Sequence, residues 1–153
     1  RFAENLMRGP CQLTPADREL IAAYVSALNG CHFCRDAHGS ALSYLDQSAP
    51  QLNELLTDPE FTAVRPALRP VLTYARKLNQ APAKIDLNDV NAVLDAGWDE
   101  GTVVYAALVC GFFNLMNRWV EGLGIETDPK TADYAGQMLS SRGYAMISDM
   151  VKG

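Results

Sequence analysis

Residues 14–45 read TPADRELIAAYVSALNGCHFCRDAHGSALSYL, and the punctuation of this stretch decides the fold. Thr14 followed by Pro15 reads as a helix N-cap with a first-turn proline, and Asp17 stands where the third residue of a capping box belongs. Leu20, Ile21, Tyr24, Val25 and Leu28 then recur at helical spacing until Asn29-Gly30 stops the run. A second helix starts at once near Cys31, carries Ala37, Ala41, Leu42 and Leu45, and ends before Pro50.

The same signals recur outward in both directions. Phe2, Leu6 and Met7 read like a helix entered midway, so further residues are expected upstream of Arg1. Pro66 and Pro70 break up the middle, and a helix is predicted from about Pro66 to Asn79 with Leu68, Val71, Leu72, Ala75 and Leu78 buried. Asp86 caps a short helix through Leu94 that Gly97 ends, and Asp99 caps the longest one, from about Gly101 to Leu123, closed by Gly122 and Gly124. Asp128-Pro129 opens a last helical stretch, interrupted at Gly143. No segment alternates with period two, and no repeat or linker marks a boundary. The expectation is an all-α fold in one domain over residues 1–153.

Composition narrows the function classes. The chain is 48% apolar and 20% charged with a formal net charge of −5, the balance of a globular cytosolic protein. No Lys/Arg run interrupts that acidity, so nucleic acid and anionic membrane surfaces are poor partners. The longest apolar stretch, Val103 to Met116, falls short of the ~20 residues a membrane span needs, and no leader-like segment opens the chain. Four cysteines are too few for a disulfide scaffold. Cys11 and Cys110 stand alone in apolar surroundings and read as inert core thiols.

Cys31 and Cys34 are paired, and His38 follows one turn later. On a helix these three share one face within an arc of about 60°, and cysteines three apart in a helical turn can form a disulfide. His38 lies within reach of Cys34, directly or through one water. The first-turn position of Cys31, at the positive end of a helix dipole with Arg35 nearby, favours a lowered thiol pKa and hence a nucleophile. A zinc site is the main alternative: Cys31, Cys34 and His38 would supply three ligands and water the fourth. Haem attachment would need His in place of Arg35, and a thioredoxin fold would need strands.

Glu19 precedes Cys31 by twelve positions, so Glu19, Cys31, Cys34 and His38 form a Glu-x11-Cys-x2-Cys-x3-His pattern. That pattern resembles the alkylhydroperoxidase D (AhpD)-like group of the carboxymuconolactone decarboxylase superfamily. A second stretch, Phe113-Asn114, Asn117-Arg118 and Gly122-Leu123-Gly124-Ile125-Glu126, is similar to a segment of its peroxidase-related members. The resemblance spans about Thr14 to Asp128. It implies an AhpD-like helical fold, assembly into symmetric homo-oligomers, and no bound cofactor. It also implies reduction of hydroperoxides by the cysteine pair, with a partner thiol protein or lipoyl group as reductant. Carried over, Cys34 is the peroxidatic thiolate, Cys31 resolves its sulfenic acid as a disulfide, and Glu19 with His38 relays protons. The dipole argument, by contrast, makes Cys31 the more acidic thiol.

Other readings stand beside this one. Glu19 alone also reads as a solvated helix residue. His32 reads as a surface or interface residue, and Trp98, Trp119, Phe112 and Phe113 as core or interface aromatics. Asn114, Asn117 and Arg118 are candidates for hydrogen bonds across a subunit boundary. The functional alternatives are a lactone-processing enzyme like the carboxymuconolactone decarboxylases, whose acid–base chemistry has no use for a dithiol, and a non-enzymatic redox or metal-binding module.

Overall fold

The second helix is the axis of the structure, and its sequence explains why. A computed structural model describes residues 1–145. In it α1 (Phe2–Arg8), α2 (Pro15–Leu28), α3 (His32–Leu45), α4 (Leu52–Thr57), α5 (Arg69–Gln80), α6 (Leu87–Asp95), α7 (Glu100–Gly122) and α8 (Pro129–Arg142) follow one another, with no strand among the described residues. The all-α expectation holds. Every residue of α2 from Asp17 to Ser26 is buried, because α1, α3, α4, α5 and α7 all pack against it. Leu20, Ile21, Tyr24 and Val25 enter the main core, each worth about 1.5–3 kcal/mol on full burial.

Three consecutive charged residues also lie buried on α2, and each has partners. Asp17 completes the capping box with Thr14 and takes a two-pronged bond from Arg65, at 2.7 and 2.8 Å. Arg18 donates to the carbonyls of Leu6 and Gly9, both at 2.8 Å, satisfying the last turn of α1. Glu19 belongs to the site described below.

The α2–α3 junction is a Schellman turn. Gly30, at φ 72°, bonds the carbonyl of Ala27, and the Cys31 N–H reaches Ser26 at 3.0 Å; a side chain at Gly30 would be strained there. Helix α3 is gripped between α2 and α8. A Cβ at Gly136 of α8 would run into Ser40 and the Ala41 nitrogen of α3, so only glycine permits this approach.

The capping predictions at Asp86, Asp99 and Asp128 are met. Two boundaries differ. The helix expected from Pro66 divides into a 3-10 turn over Pro66–Leu68 and α5 from Arg69, because Pro70 has no N–H to bond the Pro66 carbonyl. Helix α4 was not anticipated, since six residues are too few to display a period.

Helix α7 runs well beyond the apolar stretch Val103–Met116 read from the sequence. Its 23 residues are long and apolar enough, by length and composition alone, to cross a bilayer. In the fold, Ala106, Val109, Cys110 and Phe113 on its inner face enter the core. Its outer face carries an exposed apolar row of Val104, Leu108, Leu115 and Trp119.

Candidate active site

The turn that ends α2 delivers Cys31 as the N-cap of α3, which places Cys34 in the first turn and His38 in the second. Both thiols are free and lie within a small apolar cluster with Val120, against which Phe33 packs. Cys31 is 0% exposed and Cys34 3%. Burial decides their acidity: it pushes the Cys31 thiol up to about 12, and the Glu121 carboxylate beside it adds to the rise. The Cys34 N–H opposes that rise without offsetting it. This reverses the expectation that the helix dipole would make Cys31 acidic. The dipole and its N–H groups contribute a fraction of a charge, while loss of hydration penalises the whole thiolate.

Cys34 is also raised by burial, but two donors hold it back, the Cys31 thiol and the Asn117 side chain. Asn117 is itself buried, 2% exposed. Its amide donates to Ser26 Oγ and its carbonyl oxygen accepts from Asn29, both at 2.9 Å. Asn29 accepts in turn from Asn79 at 2.9 Å, and Asn79 accepts from Asn114 at 2.6 Å. A polar chain therefore ties α7 and α5 to the turn that carries Cys31. Within the chain, Asn114 and Asn117, read from the sequence as candidates for a subunit boundary, already have partners, and Arg118 donates to Asn114 at 2.8 Å.

One turn beyond Cys34, His38 and Glu19 form a buried pair. His38 Nδ1 lies 2.7 Å from Glu19 Oε2, and the Phe113 ring meets the imidazole edge to face at a centroid distance of 4.4 Å. Glu19 is 0% exposed, which disposes of the solvated-helix reading. Burial alone would raise its carboxyl, but His38 and Arg8 outweigh it and hold Glu19 below the usual carboxylate range. Arg8 of α1 donates to Glu19 Oε1 at 2.7 Å. Tyr144, past the end of α8, puts its hydroxyl 3.0 and 3.2 Å from the two carboxylate oxygens.

Glu19 and His38 thus come together, as do Cys31 and Cys34, but among the described residues no direct hydrogen bond joins His38 to either thiol. Nor do Cys31, Cys34 and His38 form a group that could hold a metal ion among the described residues. His32 is exposed, and Trp98 bonds the Ala67 carbonyl through Nε1 at 2.6 Å. Cys110 is a buried core thiol raised to about 11. Arg8, Tyr144 and the placement of Asn117 escaped sequence reasoning. Asn117 lay within a quoted motif, whereas Arg8 and Tyr144 carried no signal, being 11 and 125 positions from Glu19.

Residues 1–77 match the carboxymuconolactone decarboxylase family. No curated protein matches the sequence. Among crystal structures, an uncharacterized peroxidase-related protein from Silicibacter sp. TM1040 is 32% identical with a TM-score of 0.75, over 84% of this chain and 68% of that one. Another, from Ralstonia eutropha JMP134 and described as an alkylhydroperoxidase AhpD core, is 25% identical with a TM-score of 0.78, over 88% and 70% of the two chains. The fold, the paired thiols with their Glu19–His38 neighbours, and these likenesses agree: the chain belongs to the carboxymuconolactone decarboxylase family, in its AhpD-like branch.

Proposed function

We propose that the chain is a thiol-dependent peroxidase that reduces alkyl hydroperoxides through a Cys31–Cys34 dithiol/disulfide cycle. The observation that carries this reading is the free thiol pair at the head of α3, one turn ahead of a buried imidazole–carboxylate couple. Thiols that burial keeps protonated need a base, and His38, anchored through Nδ1, offers its other ring nitrogen.

In this mechanism Cys34 gives its proton to His38 Nε2 through one bridging water. The thiolate attacks a peroxide oxygen, an S–O bond forms as the O–O bond breaks, and the departing alkoxide takes the proton from His38 and leaves as an alcohol. The Cys31 sulfur then displaces hydroxide from the Cys34 sulfenic acid, and that hydroxide leaves as water with the Cys31 proton. The peroxide gains two electrons and the thiol pair loses two. A partner thiol protein or a lipoyl group returns two electrons and two protons. Such a cycle suits the reducing cytosol. Self-association, expected from the resemblance, has a candidate surface in the outer row of α7.

Turnover of cumene hydroperoxide with dithiothreitol tests the reading. Activity lost in Cys34→Ser supports it, and turnover unaffected by that substitution refutes it. The lactone-processing alternative would leave activity on a lactone intact in the same variant.

A further inference from the structure

We propose that Arg8 and Tyr144 are positioning residues that fix the His38 tautomer, leaving Nε2 with the lone pair that can take a proton from the thiols. The proposal rests on the peroxidase reading for its purpose, but its geometry stands apart from it.

An ionised carboxylate only accepts hydrogen bonds. Glu19 accepts from Arg8 on Oε1 at 2.7 Å, from His38 Nδ1 on Oε2 at 2.7 Å, and from the Tyr144 hydroxyl on both oxygens. While Glu19 is ionised, Nδ1 must carry hydrogen, and Nε2 of the neutral ring is the acceptor. A protonated Glu19 would invert the arrangement: its O–H would donate to Nδ1, hydrogen would move to Nε2, and the imidazole would face the thiols as a donor. Arg8 is the one permanent cation bonded to Glu19 among the described residues, so the choice of tautomer passes through it.

Tyr144 touches both members of the pair, its hydroxyl oxygen also lying 3.2 Å from His38 Nδ1. Its ring lies 7° from parallel with the imidazole at a centroid distance of 6.2 Å, and the Arg8 guanidinium sits 5.1 Å over its centre. The imidazole is therefore bounded by Tyr144 and by Phe113. The Tyr144 phenol stays protonated, since burial and the Glu19 charge both raise it well above its ordinary value, so its O–H donates to Glu19 at any workable pH. The ends of the chain hold both residues in place. Arg8 also donates to the Leu139 carbonyl of α8 at 2.9 Å, and Glu4 of α1 accepts the backbone N–H groups of Tyr144 and Ala145. The charged and titratable groups facing the pair are thus Arg8 and Glu4 from α1, Glu19 from α2, His38 from α3, and Tyr144. Helix α7 presents Phe113 and α8 a backbone carbonyl.

The test compares wild type with Arg8→Met, Arg8→Lys and Tyr144→Phe in the full chain, each checked for helix content by circular dichroism. The primary readout is the 15N chemical-shift pattern of His38, which distinguishes Nδ1–H from Nε2–H without reference to activity. Wild type should show Nδ1–H, Arg8→Met should move hydrogen to Nε2, and Arg8→Lys should restore the wild-type pattern. Tyr144→Phe should keep the tautomer but lower kcat. The second readout is the pH profile of hydroperoxide turnover, which should fall about tenfold or more in Arg8→Met with partial recovery in Arg8→Lys. An unchanged His38 pattern in a folded Arg8→Met protein overturns the proposal. If Arg8→Met does not fold, a wild-type Nε2–H tautomer overturns it equally. A wild type inert toward hydroperoxides would refute the peroxidase reading while leaving the tautomer result to decide this one.

Discussion

Replacing Cys34 by Ser leaves Cys31 as the single thiol at the head of α3, and the pH dependence of its alkylation measures the contest between burial and helix dipole. Carrying over the value of about 12 that the Cys31 thiol has beside Cys34, the thiolate at pH 7 is about one part in 10^5 of the total, against about one part in 30 for a free cysteine near 8.5. Iodoacetamide should therefore modify Cys31 about three thousand times more slowly than a free thiol at pH 7. The rate should rise about tenfold per pH unit with no plateau below pH 10. Mass spectrometry of the Cys31 peptide separates it from Cys11 and Cys110, and thiolate absorbance near 240 nm gives an independent titration. A plateau with its midpoint below about 8.5 would refute the reasoning. It would mean that the unpaired N–H groups of α3 outweigh the loss of hydration.

Three further outcomes follow from the structure. Glu19 has a folded-state pKa below its ordinary 4.5, so it contributes stability that is fully present above that value and is lost as pH falls through the lower, folded one. Glu19→Gln should cost about 3–5 kcal/mol at neutral pH by stranding Arg8, and denaturant melts from pH 7 to 3 should show a shallower acid loss in the variant. Asn117→Ala removes the bonds to Ser26 and Asn29 and should cost about 1–3 kcal/mol while slowing Cys34 alkylation at neutral pH. A variant as reactive as wild type would remove Asn117 from the thiol's surroundings. Leu115, 64% exposed in the apolar row of α7, should tolerate Lys without loss of helix content, and sedimentation should show that the substitution breaks up the homo-oligomer proposed for wild type. Wild type sedimenting as a monomer would leave that row without its proposed role.

How much was legible can be followed residue by residue. The sequence by itself determined the longer helices, though not α4 or the start of α5, and the order of the reactive groups, because caps, helical period and glycine stops act over one or two turns. Thr14-Pro15-Ala16-Asp17 and Asn29-Gly30 carry their geometry locally, and one turn of helix necessarily sets Cys31, Cys34 and His38 on a common face. Glu19 needed the family pattern, since nothing local distinguishes it from a surface glutamate.

Only the tertiary structure decided what those groups experience. The acidity of Cys31 depends on Val120 and Glu121 arriving from α7, and the ionisation of Glu19 depends on Arg8 from α1. The clamp on His38 depends on Tyr144 from beyond α8. Desolvation and charge pairing are set by neighbours in space, and the chain brings those neighbours from α1, α7 and beyond α8, where no short pattern records their meeting.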